Sequence, residues 1–135
     1  MNRGKRRSTW LVFFGAAVVV WAAGCDRGPK RYHVSGQVLH GGKPVAAGEI
    51  YFDPDFTKGH DGPQGFARIR NGQYDTREVG KAVAAGPHVV RILGFDGKGR
   101  PHEDLPLGNP LFPEYKTPAS VLDRDTTLDF QIPQK

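Results

Sequence analysis

From Val34 onward, apolar and polar positions alternate with a period of two through much of the chain. Val34, Gly36 and Val38 alternate with Ser35, Gln37 and Leu39, and Ile50 and Phe52 alternate with Glu49, Tyr51 and Asp53. That period suits strands with one buried face. Between the two runs lies His40-Gly41-Gly42-Lys43-Pro44. Its glycines permit positive φ, and Pro44 fixes φ and lacks a ladder donor. Val34–Pro54 therefore predicts strand, turn, strand, an opening hairpin with Ala46-Ala47-Gly48 as a bend into its second arm.

The pattern recurs down the chain. Pro54 to Gly65 is rich in charge, glycine and proline and predicts a loop. Ala67 and Ile69 then alternate with Phe66, Arg68 and Arg70 before Asn71-Gly72, a strong tight-turn signal, and Gln73 to Thr76 returns with Tyr74 inward. Arg77 to Gly86 predicts a connection with small residues. Beyond Pro87, His88, Val90 and Ile92 share one face. Gly94 to Ala119 has no clean period and reads as a long loop, functional or pinned by Phe112, Pro113 and Tyr115. Ser120 to Asp123 predicts a weak strand, and Thr127 to Ile132 a strong one with Leu128, Phe130 and Ile132 inward.

About seven short strands with no amphipathic helix indicate an all-β, antiparallel β-sandwich. The expected core is Val34, Val38, Ile50, Phe52, Ile69, Tyr74, Val90, Ile92, Leu128, Phe130 and Ile132. The 18 glycines and 11 prolines fall between these runs, which is the composition of many turns rather than of disorder.

The N-terminus departs from this pattern. Met1 to Thr9 is basic and polar, and Trp10 to Ala23, WLVFFGAAVVVWAA, is almost wholly apolar. Small residues then lead to Cys25, the single cysteine, so no intrachain disulfide can form. This is the three-part layout of a secretory signal, and its apolar run is shorter than the ~20 residues a membrane-spanning helix needs. Ala22-Ala23-Gly24-Cys25 resembles a bacterial lipobox, with Ala22 where leucine is usual. The resemblance implies cleavage before Cys25, lipid on its thiol and acylation of the new amine, with palmitate a typical chain. The alternatives are a secreted chain cut at an A-x-A-like site and an uncleaved short anchor. Residues 1–24 are thus expected to be a signal peptide, 25–31 a lipidated cysteine and polar tether, and 32–133 one β-sandwich domain. Asp26 after the cysteine implies inner-membrane retention by the enteric rule, which leaves inner or outer membrane open.

The charge balance changes once this segment is set apart. The chain carries 19 basic and 14 acidic residues, but Arg3, Lys5, Arg6 and Arg7 fall before Cys25 and no acid does. The remainder is 15 basic against 14 acidic, with no basic stripe interleaved with aromatics, so nucleic acid is not an expected partner.

Four stretches in order, GQVLHGGKPVAAGEIYFDP, IRNGQYDT, GPHVVRILGFDG and LFPEYKTPASVLDRDTTLDF, resemble the small bacterial envelope lipoproteins with a carboxypeptidase-regulatory-like, transthyretin-like domain. The likeness covers residues 34 to 132. It implies a seven-stranded Greek-key sandwich of prealbumin or immunoglobulin type in the cell envelope or periplasm. The shared motifs are turn glycines and inward aromatics. They carry no catalytic residue, and the zinc domain of peptidases of that name is lacking here.

Candidate chemistry is sparse. His33, His40, His60, His88 and His102 show no zinc-type spacing. His60-Asp61 and His102-Glu103-Asp104 are a candidate metal cluster if their loops meet, and His88 reads as an edge-of-core histidine. Asp53, Asp55 and Asp61 on one loop are calcium candidates without EF-hand spacing, and Asp123 and Asp125 share another loop. Ser35 and Ser120 lie in no G-x-S-x-G elbow. Tyr51, Phe56, Phe66, Phe95, Phe112 and Tyr115 are candidates for an exposed aromatic patch. The expectation is a non-catalytic, lipid-anchored binding or structural module with no cofactor. Its partners would be the membrane through Cys25 and an envelope protein or polysaccharide. The alternative is a carbohydrate- or calcium-binding accessory to an envelope enzyme or transporter.

Overall fold

The computed structural model describes residues 28–134. The expected signal peptide, Cys25 and Asp26 lie outside the described residues. The chain is all-β, without an α-helix among those residues. Its strands are β1 (Arg31–Tyr32), β2 (Val34–His40), β3 (Lys43–Pro44), β4 (Ala47–Pro54), β5 (Gly65–Arg70), β6 (Gln73–Asp75), β7 (Val83–Ala84), β8 (Gly86–Phe95), β9 (Tyr115–Val121), β10 (Thr126–Thr127) and β11 (Phe130–Ile132). Three 3-10 turns, Phe56–Lys58, Thr76–Val79 and Pro101–Glu103, join them.

One continuous sheet runs β10-β2-β6-β5-β4-β8-β9 and curls upon itself as a sandwich, with β11 and β3 also on β2. The corner is the β5–β6 hairpin, whose turn residues Asn71 (φ 49°) and Gly72 (φ 74°) take the left-handed conformation a two-residue hairpin needs. Arg70↔Gln73 is the single register pair joining β5 to β6. The turn is tied to β2 and to the segment after β3: Val38 N–H donates to the Gly72 carbonyl at 2.8 Å, and Gly72 N–H to the Val45 carbonyl at 2.7 Å.

The opening hairpin is corrected by this topology. β2 turns at Gly41-Gly42, and of the segment that follows the turn only the two-residue β3 pairs back onto it. β4 does not pair with β2; it crosses to the other layer and lies between β5 and β8. The physical reason is Val45, fully buried at the crossing point, whose N–H donates to the Val38 carbonyl. That anchor carries the chain over the core rather than back along β2.

Most pairs are antiparallel, but β10 and β11 run parallel to β2. The predicted closing strand is split: Leu128 and Asp129 bulge between its halves, with Leu128 half-buried against the core rather than in it. The aperiodic stretch 94–119 is also corrected, because β9 begins at Tyr115. Its inward positions Thr117 and Ala119 are polar and small, which hides the alternation, and Pro118 is tolerated because β9 pairs on one side only. Of the expected core, ten residues are buried, joined by Val45, Ala67, Val83, Ala84 and Val121. Phe52, Tyr74 and Phe130 form an aromatic line across it, with ring centroids 6.1 and 6.2 Å apart.

The register fixes two ends. β2, β5 and β8 run one way and β4, β6 and β9 the other. The chain enters through β1, paired with β7, at the end that also holds Pro54–Gln64, Thr76–Gly80 and the 122–125 turn. The opposite end holds Gly41-Gly42, Asn71-Gly72, the 96–114 loop and the approach to the C-terminus. Among the described residues no helix is long and apolar enough to cross a membrane.

Candidate functional site

At the far end from the chain entry, β2, β11 and the long loop enclose a cleft of ≈ 470 Å³. Leu111, Phe112, Pro113, Tyr115 and Ile132 supply an apolar lining, and His40, Glu114 and Gln134 a polar rim. Phe112 is the keystone. Its ring closes on Gly94, where a Cβ would overlap it, and lies 4.9 Å from the His40 ring. The loop before it is held by Asp96 as well as by aromatics. One Asp96 oxygen accepts from Lys98 N–H (2.9 Å) and Asn109 N–H (3.1 Å). The Lys98 backbone bond, against a smaller desolvation cost, holds its carboxyl below the usual range.

The outer face of β4, β5, β8 and β9 carries charge and aromatics together. Arg91 pairs with Asp53, reaches Glu114 at 3.1 Å, and lies 4.9 Å above the Tyr51 ring. Lys116 continues the row to Glu114 at 3.0 Å. Tyr51 packs on Phe66 at 5.0 Å. Partial burial works to raise the Asp53 carboxyl, but the hydrogen bonds from Arg91 and Gln64 outweigh it and hold it low. This neutralised row is a rigid face with its donors and acceptors already matched.

The calcium candidates do not converge. Asp53 is engaged by Arg91 and Gln64. Asp55, buried, accepts from Thr57 N–H and hydroxyl and pairs with Lys58, while Asp61 is exposed. Asp125 caps His33 N–H and pairs with Arg77. Among the described residues no group of three or more His, Cys, Asp or Glu is placed to hold an ion. His60 and His102 lie on loops at opposite ends, so the His60-Asp61 and His102-Glu103-Asp104 cluster does not form. The aromatic patch is likewise divided: Tyr51 and Phe66 on the sheet, Phe56 72 % exposed at the entry end, Phe112 and Tyr115 in the cleft.

What sequence spacing missed is a pair of histidines twenty-eight positions apart. The 3-10 turn after Asp55 folds His60 back onto β8, where its ring meets His88 edge-on with centroids 4.7 Å apart. His88 is 1 % exposed and its Nδ1 lies 2.9 Å from the Gly86 carbonyl. Neither Nε2 has a hydrogen-bond partner. The inward period of His88, Val90 and Ile92 was the available signal for one half of the pair; nothing local marks the other.

Burial holds the His88 pKa below its ordinary value, with His60 adding to the effect, while the Gly86 carbonyl and the Asp53 charge oppose it. The unfolded chain therefore binds a proton that the folded chain resists. Stability is full above the ordinary histidine pKa of ~6.5 and falls as pH drops through the lower folded value. Urea midpoints from pH 8 to 5 are expected to decline below about 6.5, and His88→Gln is expected to flatten that part of the decline.

No protein-family model matches the chain, and no curated protein is similar to it.

Proposed function

We propose that the chain is a non-catalytic β-sandwich module of the bacterial cell envelope, lipid-anchored through Cys25 and related to the transthyretin-like lipoproteins that its sequence resembles. The observation that supports this most is the distance between the lipobox-like cysteine and the fold. Arg31, the first residue of β1, follows Cys25 by six positions. At ~3.5 Å per residue the intervening chain reaches at most about 21 Å. The entry end would then face the bilayer, and the cleft around Phe112 would face away from it. Two or three acyl chains hold firmly, since each buried CH₂ contributes ~0.8 kcal/mol. The apolar cleft lining suits an aliphatic or aromatic side chain of an envelope protein better than a polysaccharide.

Metabolic labelling with an alkyne analogue of palmitate tests the reading. The expected outcome is a labelled wild-type band and an unlabelled Cys25→Ser band at equal expression. Equal labelling of both, or of neither, would remove the lipoprotein assignment.

A further inference from the structure

We infer that His60 and His88 form a binding site for one imidazole-preferring transition-metal ion, zinc or copper, held through their two Nε2 atoms. The inference is independent of the lipid anchor. It rests on tautomer, burial and separation. A carbonyl oxygen can only accept, so the Nδ1 that touches Gly86 O at 2.9 Å carries the proton in neutral His88. Nε2 is then a bare lone pair, buried and without a donor. An imidazole whose Nδ1–H is fixed on a backbone carbonyl is held as metal-ligating histidines are held, with tautomer and ring orientation set by the outer contact. The His60 Nε2 is equally buried and equally without a partner. Ring centroids 4.7 Å apart are close enough for two imidazoles to share one ion at the ~2.0–2.1 Å zinc–nitrogen distance.

The surroundings fit the same reading. The His60 ring lies over Gly62 and Gly86, whose added Cβ atoms would stand 3.4 and 3.3 Å from its Cε1. Gly86 also has φ +125°, which disfavours any other residue there. The backbone is held beside the pair by Asp55 N–H donating to the Pro87 carbonyl and His60 N–H to the Asp55 carbonyl. Asp53 is already engaged by Arg91 and Asp55 by Thr57 and Lys58, and Asp61, next to His60 in sequence, is exposed. The donor set is therefore two neutral nitrogens, with the remaining positions left to water or another small ligand. Calcium and magnesium, which require oxygen, do not suit it; zinc and copper do. One ion would satisfy both orphaned nitrogens together and tie the 55–64 loop to β8.

The test uses the full chain in detergent with Cys25→Ser, which removes the competing thiol. Zn²⁺ and, under reducing conditions, Cu⁺ are titrated separately by calorimetry at pH 7.5. The expected result is one ion per chain for at least one of the two metals. Both His60→Asn and His88→Asn should weaken it by more than about tenfold, while His102→Asn leaves it unchanged. Nitrogen NMR of the wild type should show both Nε2 signals shifting together at one equivalent. Should His88→Asn fail to fold, His60→Asn on its loop decides the matter. Binding of neither metal at this stoichiometry, or binding that His60→Asn does not weaken, overturns the site.

Discussion

Phe52→Ala is expected to lower the unfolding free energy by about 3–5 kcal/mol, a large part of the ~5–15 kcal/mol typical of a domain. Phe52 is the largest fully buried side chain among the described residues, on the central strand β4 with β5 and β8 on either side. It is also the first member of the line through Tyr74 to Phe130 that joins the two layers. Truncation removes the apolar area and leaves a cavity that the curled sheet cannot close, because its neighbours are fixed by two ladders. Urea unfolding should show a lower midpoint with an unchanged slope. A loss below about 1 kcal/mol would mean that the layers repack freely, contrary to a close-packed core.

Gly36→Ala is the second large effect, and it works through backbone. Gly36 is only half-buried, yet a Cβ there would overlap the Leu128 carbonyl and crowd Asp129. This is where the bulge between β10 and β11 crosses β2. The Tyr74 hydroxyl donates to that same Leu128 carbonyl at 2.6 Å, and Gln37 N–H donates to the Asp129 carboxylate at 2.8 Å. A methyl group pushes the closing segment off both bonds. Overpacking costs about 1–3 kcal/mol, and each lost bond about 1 kcal/mol more. Hydrogen exchange should locate the damage at 126–132, with β4 and β8 less affected. Uniform loss of protection, or none, would place the strain elsewhere.

These two residues show how much the sequence could reveal. The period-two pattern identified Phe52 and nine further buried positions, because each side chain alternates against polar neighbours on its own strand. It placed Gly36 on the inward face but not under Leu128, since that contact spans ninety-two positions. The β2-to-β4 crossover was misread for a related reason. Gly-Gly-Lys-Pro does make a tight turn, but Val45, which sends the chain to the other layer, has no periodic partner to mark it. The strand β9 was hidden by Pro118 and by threonine and alanine at inward positions. The candidate sites were less legible still. Asp53, Asp55 and Asp61 lie close in sequence, yet the first two face different partners: Arg91 comes from a strand thirty-eight residues away, whereas Thr57 and Lys58 belong to the same turn. The His60–His88 pair depends on a loop folding back over Gly62 and Gly86, where missing side chains make room. No spacing rule reports that.

We propose that this sandwich is held to a membrane by lipid on Cys25. Intact mass spectrometry of the protein extracted from membranes tests it most directly. The expected result is a chain that begins at Cys25, lacks residues 1–24, and carries added mass in whole acyl and diacylglycerol units on that residue. A chain beginning at Met1, a cut at another position, or an unmodified Cys25 would contradict it.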